Sequence, residues 1–176
     1  MKAILHFDPL TSANFNTYIE VGTKAYNQHY PHLWPNGDTT PYIHNSFTLK
    51  VLKEEEKNRN TQLFLIQLNT ACVGILKFTL DCSLAEYSSK AALYLDKIYI
   101  TKEATGFGIG TKTLHFVTLR AKALNKSILW LEAMQKGPAL GFYKKNGFSV
   151  HSTSQIPFEQ AIASEKLMFI MKKDIS

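Results

Sequence analysis

Three glycines at alternate positions are the residues whose type and spacing bear most directly on chemistry. They lie in Thr105-Gly106-Phe107-Gly108-Ile109-Gly110. The stretch follows an apolar run, Ala91 to Ile100, and opens a helical pattern, Thr111 to Leu124. Glycines between a strand and a helix leave backbone N–H groups bare at the positive end of the helix, an arrangement that binds phosphate. Glycine suits such a turn because a side chain would block the close approach of the anion. Thr111 adds a hydroxyl and Lys112 a positive charge.

Three chemistries use turns of this kind. A nucleotide P-loop requires Gly-x-x-x-x-Gly-Lys-Ser/Thr, whereas Gly110 is followed by Thr111-Lys112, the wrong order and spacing. A dinucleotide turn requires Gly-x-Gly-x-x-Gly early in a βαβ unit. Gly106-x-Gly108-x-Gly110 does not match that spacing, and the strand before it is the fourth, after a hairpin. The third chemistry is a loop for the pyrophosphate of coenzyme A, and here the surroundings agree.

The elements that must position this turn follow from hydrophobic patterning. Ile4 to Phe7 reads as a first strand. Ala13 to Gln28 reads as a helix with Ser12 as N-cap and Phe15, Ile19 and Tyr26 at helical intervals. His29 to Pro41 is a loop or broken helix, with Pro31, Pro35 and Pro41 among Tyr30 and Trp34. Asn45 to Asn58 is a second helix, with Phe47, Val51 and Leu52 on one side. Lys53 to Lys57 mixes signs and reads as its solvated face. Thr61 to Leu68 and Ala71 to Leu80, separated by Asn69-Thr70, form a hairpin. Ala91 to Ile100 is the next strand. The helix after the glycines buries Leu114, Val117 and Leu124. Ser127 to Met134 is a strand, Pro138 to Lys145 a short helix with proline in its first turn, and Phe148 to Ser152 and Lys166 to Met171 are two last strands. The order β-α-α-β-β-β-α-β-α-β-β predicts an α/β (α+β) fold, a mixed central sheet of about seven strands flanked by helices.

The 176 residues suit a single domain, 1–176, with one sizeable core. Hydrophobic residues at 45% and charged residues at 19% are ordinary for a soluble globular protein. No apolar run approaches the ~20 residues of a membrane span. The first residues, Met1 to Asp8, are too short and too soon charged for a signal peptide, so a cytoplasmic protein is expected, with no membrane partner. The net charge of +6 suits an anionic ligand. Its Lys and Arg are scattered, however, and no basic run or stacking motif points to nucleic acid. Cys72 and Cys82 make neither a disulfide framework nor a metal site. The histidines are scattered, none pair at i, i+4, and no metal is expected.

Two segments carry a resemblance. Tyr94 to Ile100, Thr101 to Ala104 and the glycine turn together resemble motif A of the GNAT superfamily of N-acetyltransferases. Pro138-Ala139-Leu140-Gly141-Phe142-Tyr143-Lys144-Lys145-Asn146-Gly147-Phe148 is similar to that superfamily's motif B ending, Ala-x-x-Phe-Tyr-x-Lys-x-Gly-Phe. The separation of the two segments and the strand order also agree. The resemblance implies an acetyl-CoA-dependent N-acetyltransferase, with acetyl-CoA in an opening between the fourth and fifth strands. The backbones of Ile98 and Ile100 would pair with the pantetheine amides. Thr105, Gly106, Phe107, Gly108, Ile109, Gly110 and Thr111 would hold the pyrophosphate, and Lys145, with Lys144, would reach the ribose 3′-phosphate. Tyr143 falls where members place a general acid that protonates the departing thiolate.

This chain departs from the superfamily's pattern in three places. Thr105 stands where Arg or Gln is usual. Lys136 or Gly137 takes the place of a common Asn. Tyr94 replaces a common strand Glu and is a poor base, with an ordinary pKa of about 10. Asp96, two residues on and so on the same strand face, is the expected base; Glu132 on the fifth strand is a second candidate. The chemistry implied is direct attack of a neutral amine on the thioester, with a backbone N–H polarising the carbonyl.

The resemblance assigns the acceptor to His29–Ile43 and Gln155–Ala163. The first is rich in aromatics (Tyr30, Trp34, Tyr42), with Asp38, and suits a small cationic amine or equally caps the core. The expected partner is a small-molecule amine or a peptide. A homodimer is compatible with the resemblance, since dimers are common in the superfamily. A silent acyl-CoA-binding module of the same fold is the competing reading, supported by Thr105 and the missing strand Glu.

Overall fold

The computed structural model describes residues 3–176. Met1 and Lys2, the start of the segment read above for a leader, lie outside the described residues. Strand β1 (Leu5–Pro9) leads through a 3-10 turn (Ser12–Asn14) into α1 (Phe15–His29). Next come α2 (Thr40–Ser46), α3 (Leu49–Lys57), β2 (Thr61–Leu68), β3 (Ala71–Thr79) and β4 (Ala92–Ile100). Then follow α4 (Ile109–Ala123), β5 (Ile128–Met134), α5 (Pro138–Lys145), β6 (Ser149–Gln155) and β7 (Leu167–Asp174). The seven strands form one mixed sheet in the order β1-β2-β3-β4-β5-β7-β6. The β2–β3 hairpin turns at Asn69, with φ 56°, a left-handed conformation asparagine tolerates.

Four sequence readings need correction. Ser12 does not cap α1: it lies inside the 3-10 turn, where the Thr11 N–H donates to Asn14 Oδ1 at 2.8 Å. The helix expected over Asn45–Asn58 is two helices. Phe47 breaks it at φ −124°, ψ 65°, and Thr48 starts α3 by accepting the Val51 N–H at 3.2 Å. The break has a packing cause: a Cβ on Gly22 of α1 would lie 2.6 Å from Phe47 Cε1, so the ring fills the space that glycine leaves. Leu124 is not buried: it is the C-cap of α4, 44% exposed, and Ala121 takes the core position. Glu55 does not belong to a solvated face, because it binds Lys77 of β3 at 2.6 Å.

The sheet is covered on both faces. Leu93, Leu95 and Leu129 pack with Leu114, Val117 and Ala121 of α4. On the other face Leu63, Leu65 and Ile75 pack with Phe15, Tyr18, Trp34 and Leu52. Each fully buried Leu-sized side chain is worth about 1.5–3 kcal/mol.

β4 carries the irregularity that shapes the site. Lys77 of β3 faces Lys97, but Phe78 faces Leu95, so Asp96 is an extra residue, a β-bulge. The bulge flips the side-chain alternation. Leu93 and Leu95 before it share a core with Ile98 and Ile100 after it, although their sequence parity differs. The parallel pairing of β4 with β5 also ends here, at Leu95↔Leu131. Beyond it β4 stays with β3 as far as Gly74↔Ile100, and β5 stays with β7 as far as Met134↔Met168. The two central strands part, and a gap opens at their carboxyl ends.

Candidate functional site

The gap is a cavity of about 590 Å³. Its walls come from the end of α1 and the following turn (His29, Tyr30, His32), the end of β4 (Ile98 to Ile100) and the glycine turn. The end of β5 (Met134) and the start of α5 through Tyr143 complete it. It therefore reaches both faces of the sheet.

The Thr101 N–H donates to Val73 O at 2.9 Å. That bond makes Ile100 and Gly74 a non-hydrogen-bonded pair, so the N–H and C=O of Ile100 point away from β3 and into the gap. Ile98, two residues back and in the same register, does likewise. These are strand-edge groups with no strand beside them.

The glycine turn presents a second row of free donors. Among the described residues no N–H from Gly106 through Thr111 donates to a backbone acceptor outside α4, and the first turn of α4 has no intrahelical acceptor for them. Gly106 and Gly108 have φ of 84° and 73°, which side chains rarely adopt, and a Cβ on either would meet nothing within 4 Å. Backbone conformation is what requires glycine there. Gly110 has a different reason: a Cβ would lie 3.0 Å from Phe142 Cζ, so α4 and α5 touch at this residue.

Thr105 and α1 brace the turn. The Thr105 hydroxyl donates to Lys102 O at 2.7 Å. Gln28 Oε1 accepts the Lys102 N–H at 2.8 Å, and Gln28 Nε2 donates to Glu103 Oε1 at 3.1 Å. Lys24 reaches Glu103 at 3.1 Å. Glu103's own backbone N–H, then Lys24 and Gln28, hold its carboxyl down at about 2. Nothing local in the sequence points to Gln28, whose partners are more than seventy positions away.

Of the residues singled out from sequence, the structure brings Ile98, Ile100, Thr105, Gly106, Gly108, Ile109, Gly110, Thr111 and Tyr143 to the cavity wall. It does not bring Phe107, Lys145 or Asp96 there. Phe107 is 70% exposed at the tip of the turn, and Lys145 is exposed in the last turn of α5. Lys136 and Gly137 both line the cavity, and the Lys136 ammonium donates to Ser164 O and Glu165. Met134 lines it without having been picked out, and Ala139 and Phe142, matched to the second motif but given no role, line it too. Tyr143 packs edge-on to Phe142 and Phe148. Burial, then the nearby Tyr30, pushes its phenol well above the ordinary value, so it stays protonated.

Asp96 is bound by Lys77 at 2.8 Å and Lys97 at 3.2 Å. Burial alone would raise its carboxyl, but Lys97 and Lys77 outweigh it and hold it below the usual range. Behind it the Tyr94 hydroxyl donates to Glu132 at 3.0 Å. Trp34, expected in an acceptor loop, is buried in the core and donates to the Tyr26 hydroxyl at 3.0 Å. Tyr42 stacks on Tyr26, with centroids 3.9 Å apart. Among the described residues no group of three or more His, Cys, Asp or Glu could hold a metal ion, and no helix is long and apolar enough to cross a membrane.

A family model described as "Acetyltransferase (GNAT) domain" matches residues 59–150. No curated protein matches the sequence. Solved structures share the fold at low identity. A PaiA N-acetyltransferase from Thermoplasma acidophilum, in complex with coenzyme A, aligns with TM-score 0.76 and 18% identity, covering 99% of both chains. A GNAT family acetyltransferase from Elizabethkingia anophelis with acetyl-CoA bound aligns with TM-score 0.62 and 14% identity, over 98% of this chain and 97% of that one. A spermidine N-acetyltransferase SpeG chimera from Vibrio cholerae and hSSAT aligns with TM-score 0.69 and 14% identity, over 97% and 95%.

Proposed function

The chain belongs to the GNAT acetyltransferase family, and on that premise we propose that it transfers an acetyl group from acetyl-CoA to a primary amine of a small molecule or peptide. The amine attacks the thioester directly, with no metal and no nucleic acid involved. Residues 1–176 act as one domain, in the cytoplasm. The observation that carries this reading is the gap between β4 and β5, which sets two rows of free backbone donors and a protonated tyrosine around one cavity.

The residues fit coenzyme A. The N–H groups from Gly106 through Thr111 take the pyrophosphate at the positive end of α4. The edge of Ile98 and the N–H of Ile100 hold the pantetheine amides as an added strand would, the Ile100 carbonyl being already bonded to His29. Phe107 and Lys145, exposed beside the turn and on α5, serve the adenosine end, Lys145 through the 3′-phosphate. When bound, acetyl-CoA supplies the acyl group. Tyr143 gives a proton to the sulfur as the C–S bond breaks. Asp96, committed to two lysines, holds the bulge rather than taking a proton.

The acceptor enters from the α1 face, where Tyr30, Tyr42, Tyr99, Tyr94 and Glu132 suit a small cationic amine. A silent acyl-CoA-binding module is a second reading, favoured by one observation: among the described residues the cavity lining includes no Asp or Glu. One assay separates the two. The purified protein is incubated with acetyl-CoA and a panel of spermidine, phosphinothricin, nourseothricin and lysine peptides, and free thiol is followed. Release with an acceptor supports the enzyme. Cofactor binding without release supports the module. No cofactor binding refutes both.

A further inference from the structure

The cavity has a group the assignments above leave unused. Its titratable side chains are His29, Tyr30, His32, Tyr99, Lys136 and Tyr143. Burial keeps Tyr30, Tyr99 and Tyr143 protonated through neutral pH. Lys136 is tied up by Glu165 and Ser164. That leaves the two imidazoles, His29 and His32, whose unprotonated ring nitrogen can accept a proton. His32 is exposed, whereas His29, the last residue of α1, is half-buried.

Among the described residues the His29 ring makes one hydrogen bond: Nε2 lies 2.8 Å from the carbonyl oxygen of Ile100. A carbonyl oxygen only accepts, so Nε2 carries the hydrogen and, in the neutral ring, Nδ1 keeps a lone pair. That bond anchors the ring to the part of β4 that has left β5. It therefore stands on the α1 side of the gap, on the same cavity as Tyr143.

Resting on the acetyl-transfer reading, we propose that His29 is the general base of the reaction, with Nδ1 as the proton acceptor and the Ile100 carbonyl as the group that sets the tautomer. The acceptor ammonium gives one proton to Nδ1 and becomes a neutral amine. Its nitrogen lone pair forms the C–N bond as the thioester C–S bond breaks and the sulfur keeps that electron pair. The sulfur takes the Tyr143 proton, the nitrogen's second proton restores Tyr143, and His29 returns its proton to solvent. The groups around the ring are Tyr30 at a centroid distance of 6.3 Å, and His32, Tyr99, Lys136 and Tyr143 on the same cavity. The Glu103–Lys24–Gln28 cluster lies beside the end of α1.

Two experiments test this. The first needs no turnover: nitrogen-15 NMR of the histidines in the 176-residue chain, with and without coenzyme A, with His29 assigned by substitution. At pH 8 His29 is expected to carry hydrogen on Nε2 and none on Nδ1; the opposite tautomer overturns the proposal. The second uses His29→Gln, whose side-chain amide N–H still reaches the Ile100 carbonyl but is no base. Expected are acetyl-CoA affinity within threefold of wild type, a kcat about a hundredfold lower at pH 7, and loss of the acidic limb of the kcat/KM profile. Glu132→Gln is expected to raise KM and keep that limb.

Retention of the limb by His29→Gln, or its loss only in Glu132→Gln, overturns the proposal. So does loss of cofactor binding in His29→Gln, which would make the contact structural. Should wild-type protein bind acetyl-CoA and acetylate no amine of the panel, the acetyl-transfer reading itself falls and takes the base assignment with it, whatever the tautomer.

Discussion

Asp96 and Lys77 are joined by an ion pair of 2.8 Å at the bulge where β4 leaves β5. A second cation, Lys97, holds the same carboxylate at 3.2 Å. Removing the acid leaves two half-buried ammonium groups facing each other, with only Glu55 and Tyr42 to offset them. Asp96→Ala is expected to cost about 2–3 kcal/mol, below the figure for a fully buried pair because these side chains keep some solvent. Thermal unfolding measures it. The sign with pH is set by a carboxyl held below its usual range. Its contribution is complete above the unfolded value of about 4 and is lost as pH falls through the folded one. Wild type should therefore lose stability on acidification more steeply than Asp96→Asn.

Gln28 is expected to act on cofactor affinity rather than on folding. Its side chain holds the Lys102 N–H and the Glu103 carboxylate, and so the entry to the glycine turn. Losing that brace removes about 1 kcal/mol of pre-organisation. Gln28→Ala should weaken acetyl-CoA binding about fivefold in titration calorimetry and leave the melting temperature nearly unchanged. An unchanged dissociation constant would show that the turn holds itself.

Gly110 separates packing from ligand approach. Its absent Cβ leaves room for Phe142. Gly110→Ala requires the Phe142 ring to give by a few tenths of an ångström and should lower stability by about 1 kcal/mol, the low end for overpacking. Phe142→Leu in the same chain should recover part of it. Gly108→Trp places a ring in open space before the helix; it should abolish acetyl-CoA binding while the protein stays folded by circular dichroism.

Tyr143→Phe is expected to keep cofactor affinity and lower kcat about a hundredfold; full activity would remove the acid assignment. Tyr143 also belongs to a set of phenols that burial pushes up. Tyr30 reaches about 12, from burial first and then Tyr42, and Tyr18 and Tyr99 are raised further. A folded value above the unfolded one of about 10 gives stability that is complete below pH 10 and lost as pH rises beyond it. Absorbance of tyrosinate should therefore rise together with loss of circular dichroism above pH 10, rather than before it.

The sequence by itself determined what depends on short-range backbone conformation. The glycine turn between a strand and a helix, Pro138 in the first turn of α5, and the hairpin at Asn69 could each be read, because φ preferences and N–H bookkeeping act over a few residues. The order of elements along the chain came from hydrophobic patterning, and the family from the resemblance of Tyr94–Gly110 and Pro138–Phe148 to two known motifs. Tertiary structure alone decided contacts between distant positions. Alternation puts Asp96 on the face of Tyr94, but no pattern announces that Asp96 is itself an extra residue in the β3–β4 register and that two lysines claim it. The single helix read over Asn45–Asn58 missed both the cap at Thr48 and the break at Phe47, which needed the space at Gly22. The bonds from Gln28 to Lys102 and from His29 to Ile100 span more than seventy positions. They exist because α1 packs across β4 just where that strand leaves its neighbour. Burial, register and the splay between β4 and β5 are properties of the assembled sheet, so the chemistry of the gap is decided there.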